Sequence, residues 1–124
     1  MADFALEVVT PERTLVEGQA EMVSLRSAEG DIAFLAGHVP YIGAVRTCLV
    51  QVHRSDGTLD AVAVHGGFVE VVEGRLVLLA GVGEAPDQID VDRARHALAT
   101  AEAEGDEPAI ARAQVRLELA GASP

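Results

Sequence analysis

The sequence predicts a mainly β domain, a sandwich or a closed barrel, followed by a C-terminal α-helical hairpin. Three observations carry that expectation. Between Phe4 and about Gly81, short runs of alternating apolar residues recur between turn signals, whereas from Asp90 onward the apolar residues step by three and four. Pro86 stands where the period changes, which divides the chain into a strand region, 1–86, and a helical region, 87–124. A length of 124 residues is too short for a two-domain enzyme, but it accommodates one domain of about 85 residues plus an appendage.

In the first run, FALEVVT, the side chains of Phe4, Leu6 and Val8 share one face opposite Glu7, and Pro11 ends the strand. EMVSLRS places Val23 and Leu25 one strand repeat apart, with a turn at Glu29-Gly30, after which DIAFLA puts Ile32 and Phe34 on a single face. Two separate strands are expected after Pro40: YIGAV, then CLVQVHR with Cys48, Val50 and Val52 opposite Gln51 and His53. Asp56-Gly57 is the strongest hairpin signal, because both central residues of a tight primed turn take positive φ. LDAVAVH and FVEVV follow, also as separate strands. Gly66 and Gly67 between them lack the spacing of a phosphate loop and read as a bulge or a close backbone crossing. Glu73-Gly74 then turns into RLVLLAG, which completes eight or more strands.

The first helix, from Asp90 to Glu104, carries Val91, Ala94, Leu98 and Ala101 on one stripe, with Asp87 or Asp90 as its cap. Gly105-Asp106-Glu107-Pro108 supplies a C-terminal glycine, an N-cap and an early proline for the second helix, whose stripe is Ile110, Ala113, Leu117 and Ala120 and which stops near Gly121. Isolated helices of about 12–15 residues are marginal in water, and a stripe made mostly of alanine gains little from burial. Docking of this hairpin should therefore net only a few kcal/mol after the entropy of ordering. The strand domain is expected to be stable alone and the hairpin to be movable.

Composition narrows the function. Nine arginines and no lysine against 20 acidic residues give a net charge of −11, which excludes the cationic face that nucleic acid or anionic lipid requires. The single Cys48 excludes an intrachain disulfide and a thiolate metal cage. The opening MADFALEV has an acid where a signal peptide has basic residues, and no apolar run approaches the length of a membrane span, so a soluble intracellular protein is expected. Ser24, Ser27 and Ser55 lack elbow glycines, so no nucleophile stands out, and Asp90 and Asp92 face different directions as capping and solvated residues. The competing reading is a small stand-alone, cupin-like sandwich that binds a metal or another ligand through His38, His53, His65 and Glu70. Its spacing argues against it, since no two of these histidines sit close on a strand and His53 points to solvent.

EGDIAFLAGHVPYIGAV (29–45), HGGFVEV (65–71), RLVLLA and IDVDRA occur in this order over nearly the whole chain, and together they resemble the epsilon subunit of bacterial F-type ATP synthases. Ala33 and Ala36 depart from the family's glycine and proline in the first run. The resemblance implies an antiparallel β-sandwich of about ten strands and a non-catalytic rotor subunit at the cytoplasmic face of the plasma membrane. Its partners would be the gamma subunit and the c ring, with the catalytic alpha and beta subunits reached by an extended hairpin. By position, Asp31 and His38 match the edge that faces the c ring. Glu84, Ile89, Asp90, Arg93 and Ala94, with Arg112 and Arg116 of the second helix, match an ATP-binding motif found in some members, so ATP enters as an optional regulatory ligand and no cofactor is required. Arginines four apart on a helix can hold phosphate oxygens, which makes the carry-over chemically reasonable. The short second helix, with Arg112 and Arg116 against Glu107 and Glu118, predicts weak inhibition of ATP hydrolysis or none.

Overall fold

A computed structural model describes residues 2–121. The strands are β1 (Phe4–Val9), β2 (Thr14–Ala20), β3 (Met22–Ser27), β4 (Gly30–Leu35), β5 (Tyr41–His53), β6 (Leu59–Val72), β7 (Arg75–Ala80) and the two-residue β8 (Gly83–Glu84). A 3-10 turn at Pro86–Gln88 leads to helices α1 (Val91–Glu104) and α2 (Glu107–Leu119). All strands belong to one hydrogen-bonded sheet in the order β2-β1-β7-β6-β5-β3-β4, with β8 beside β6. Every pairing is antiparallel except that of β1 with β7.

The sheet becomes a two-layered sandwich because its two longest strands change face halfway. In β5 the buried positions run Val45, then Cys48, Val50 and Val52, so the inward set shifts from odd to even numbers; in β6 it shifts from Val62 and Val64 to Val69 and Val71. The shifts lie side by side, since Val45 pairs with Gly67 and Cys48 with Val64. A side chain period of two forces such a slip to swap faces, so β5 and β6 each serve one layer with their first half and the other with their second. The expectation of separate YIGAV and CLVQVHR strands, and of separate LDAVAVH and FVEVV strands, is corrected accordingly: each pair is one bent strand. With those halves counted apart, the layers hold five segments each, in line with about ten. Glycine makes the bend feasible: Gly66 has φ +88°, and a methyl group on Gly67 would collide with the Leu79 carbonyl oxygen. β2, not anticipated in the sequence, is an edge strand that buries only Val16 and Ala20.

Phe4, Leu6 and Val8, Val23 and Leu25, and Phe34 all point into one core with Leu76 and Leu78, as their alternation predicts. The hairpin has a core of its own, formed by Ala94, Leu98, Ala113 and Leu117 with Val91 and Ile110 beside it. Its caps are those read from sequence: Asp90 accepts from the Arg93 amide, Gly105 takes the left-handed conformation at φ +67°, and Asp106 accepts from the Ala109 amide. Helix α2 lies over β5 and β6. Between α2 and the β3–β5 surface remains a cleft of about 590 Å³, lined among others by Ser24, Ile32, Leu49, Gln51, Val115 and Glu118.

Candidate functional site

The hairpin meets the sandwich at Glu84. This residue ends β8, whose pairing with Ala63 and Val64 holds it next to His65 in the middle of β6. His65 is fixed from both sides: its amide donates to the Val82 carbonyl at 3.0 Å, and its Nε2 donates to Glu84 Oε1 at 2.7 Å. Arg116 of α2 donates from Nε to the same oxygen, also at 2.7 Å. The imidazole is only 2% exposed, and its Nδ1 has no hydrogen-bond partner. Burial lowers the pKa of His65, and the nearby charges of Arg116 and Arg112 act in the same direction against the pull of Glu84. For Glu84, burial works to raise the pKa, but the donors His65 and Arg116 outweigh it and hold the carboxyl below its ordinary range. Neutral imidazole, carboxylate and guanidinium thus form a charge-assisted cluster across the joint.

The residues matched to an ATP motif are only partly gathered here. Glu84 and Arg116 touch each other, and Arg112 is close enough to act on His65. Asp90 and Arg93 stand at the exposed start of α1, where the Asp90 carboxylate is occupied in capping the helix at 3.1 Å from the Arg93 amide. Ala94 is buried in the hairpin core, and Ile89 is half-buried before the helix. None of the seven lines the 590 Å³ cleft. Sequence reasoning missed His65 as the partner of Glu84, since it weighed this histidine only as a metal ligand.

A second candidate surface surrounds the edge strand β4. Asp31, its second residue, is exposed, with Oδ1 2.8 Å from Arg26 Nε of β3. His38 lies beyond its other end, where Nδ1 sits 2.7 Å from the Val39 carbonyl and the ring packs edge-on to Phe34 at 4.8 Å. The two residues expected on one edge therefore bracket β4 rather than touch. On the outer face of the other layer, Phe68 pairs with Leu79, and Ile42 lies one row away; all three are more than half exposed. An exposed apolar row of this kind is a candidate docking surface.

The four residues of the cupin-like reading do not converge: His38 is in the β4–β5 connection, His53 at the end of β5, His65 is bound to Glu84, and Glu70 is exposed on β6. Among the described residues no group of three or more His, Cys, Asp or Glu is assembled for a metal ion. Cys48 is buried, and burial raises its pKa. No helix among the described residues is long and apolar enough to cross a membrane.

Residues 3–86 match the family model described as ATP synthase, Delta/Epsilon chain, beta-sandwich domain. The chain belongs to this family. It is 40% identical over 121 residues to the ATP synthase epsilon chain of Streptomyces avermitilis, covering 98% of both chains, and 37% identical over 131 residues to that of Bacillus pumilus, covering 98% of this chain and 99% of the other. The family's fold extends to distant structures. A chain of the Euglena gracilis mitochondrial ATP synthase OSCP/F1/c-ring structure aligns with a TM-score of 0.76 at 21% identity, over 98% of this chain and 79% of that one. A chain of the Tetrahymena thermophila ATP synthase central stalk and c-ring structure aligns with a TM-score of 0.61 at 8% identity, over 72% and 71%.

Proposed function

We propose that this chain is a non-catalytic rotor subunit of a proton-translocating ATP synthase, joining gamma to the c ring at the cytoplasmic face of the plasma membrane. The observation that carries this reading is the asymmetry of the sandwich: one outer face is covered by the hairpin, and the other displays Ile42, Phe68 and Leu79 to solvent. The bare apolar face suits gamma. Asp31 and Leu35 of β4, with His38 just beyond it, suit the polar loops of the ring, where a carboxylate already partnered by Arg26 can exchange that arginine for one on the ring. The relatives named epsilon chains support the assignment at close to full length.

The hairpin is the regulatory part. ATP is proposed to bind at its root through Glu84, Ile89, Asp90, Arg93, Ala94, Arg112 and Arg116. In the docked arrangement Glu84 and Arg116 satisfy each other, so a nucleotide must displace that contact and its affinity is expected to be low. Contact of an extended hairpin with the alpha and beta subunits is proposed to restrain hydrolysis only weakly, because α2 is short and carries just Arg112 and Arg116 as cations.

Affinity purification from detergent-solubilised membranes tests the assignment: gamma and the c ring should co-purify, and Phe68→Asp with Leu79→Asp should reduce gamma recovery several-fold. Isolation of the chain alone, free of both partners, would refute it. Deleting residues 88–124 from the assembled complex should raise ATPase activity by less than about tenfold, or 1.4 kcal/mol in barrier height; a larger rise contradicts the weak-brake reading.

A further inference from the structure

We propose that His65, Glu84 and Arg116 form an acid-released latch that holds the hairpin on the sandwich without any nucleotide. The inference rests on the reading that the hairpin moves, and it adds what fastens it and what lets it go.

Three observations lead there. The hairpin's apolar core contains only hairpin residues and does not merge with the sandwich core. The cleft of about 590 Å³ keeps much of α2 from close packing on the β3–β5 surface. Among the described residues, Arg116–Glu84 is the only side-chain hydrogen bond or ion pair that joins either helix to the strands. The polar part of the fastening is therefore concentrated at one carboxylate oxygen, and whatever disturbs that oxygen should loosen α2, leaving only its apolar packing on β5 and β6.

His65 makes the fastening sensitive to acid. With Nε2–H donated to Glu84, the remaining nitrogen, Nδ1, is buried and unpartnered. A proton added there would place a cation in a buried position facing Arg112 and Arg116 of α2, opposed only by Glu84 of β8. The 3-10 turn against β6 brings Asp87, which is exposed, and the β5 neighbour, Thr47, carries no charge. Once the hairpin leaves, His65 gains access to water and accepts the proton at its ordinary affinity. The docked state thus binds fewer protons than the released state, so docking is strongest above the ordinary histidine range and weakens as pH falls through it. Glu84, also lowered in the docked state, adds a loss of the same sign at more acidic pH.

Amide hydrogen exchange of the full chain, without nucleotide, tests the latch. At pH 7.5, Arg116→Gln should accelerate exchange in residues 107–119 about tenfold while β1 and β7 keep their protection, the latter showing that the sandwich is intact. In the wild type, protection of 107–119, corrected for intrinsic exchange, should fall about threefold or more from pH 7.5 to 5.5. His65→Gln retains a donor for Glu84 but does not titrate, and should abolish that fall. Unchanged exchange in Arg116→Gln, flat protection in the wild type, or an undiminished pH response in His65→Gln would each overturn the proposal. ATP is left out, so these outcomes are independent of whether a nucleotide binds; a separate ATP titration judges that reading.

Discussion

The two halves of this molecule solve the same problem, burial of aliphatic side chains, with unequal material. The sandwich draws on Phe4, Phe34, ten valines and four leucines from seven strands, all enclosed in one core. The hairpin closes on two alanines and two leucines, with Val91 and Ile110 at its margin. At about 1.5–3 kcal/mol for each large buried side chain, the first sum outweighs the entropy of ordering and the second barely does. The difference teaches where regulation can reside. A region whose docking free energy is comparable to one ion pair can be moved by a ligand, a proton or a partner, and a region with a many-stranded core cannot.

Substitutions should expose this inequality. The largest loss is expected for Phe34→Ala: the ring is fully buried, and its removal should lower unfolding free energy by about 3–5 kcal/mol in urea titrations followed by circular dichroism. Gly67→Ala should follow at about 2–3 kcal/mol, because a β-carbon there meets the Leu79 carbonyl at the bend of β6; a neutral result would dispute the close crossing. Leu117→Ala empties a fully buried position in the hairpin, yet the effect should stay local. Helical ellipticity should drop while the unfolding free energy of the strands shifts by no more than about 0.5 kcal/mol, whereas a shift of 2 kcal/mol or more, the usual cost in a shared core, would mean that the two cores act as one. Smallest is Asp106→Ala, which removes the α2 cap and should cost about 1 kcal/mol, read as faster amide exchange at the start of α2 alone.

What could be read in advance was local. Phe4, Leu6 and Val8 declare their face within six residues, and Asp90, Gly105 and Asp106 declare the helix ends because a cap and its partner lie within three residues. The bent strands were hidden for a physical reason: alternation breaks where β5 and β6 change face, and a broken alternation looks like two strands with a gap. β2 was hidden because an edge strand buries little and needs no apolar period. The joint was the least legible part. Glu84 and Arg116 were named through resemblance as nucleotide ligands, whereas the fold pairs them with each other across 32 residues and inserts His65, 19 residues from Glu84, behind them. Only topology brings β6, β8 and α2 to one point, and no short-range pattern in the sequence encodes that.

The most direct test of an independent sandwich with a lightly fastened tail is the thermal unfolding of residues 1–88 beside that of the full chain, by circular dichroism at the strand wavelengths. The fragment should unfold cooperatively with its midpoint within about 5 °C of the parent, equivalent to roughly 1 kcal/mol. A fragment without a cooperative transition, or one whose midpoint falls by about 15 °C or more, would show that the helices are part of the strands' own core and would contradict the account.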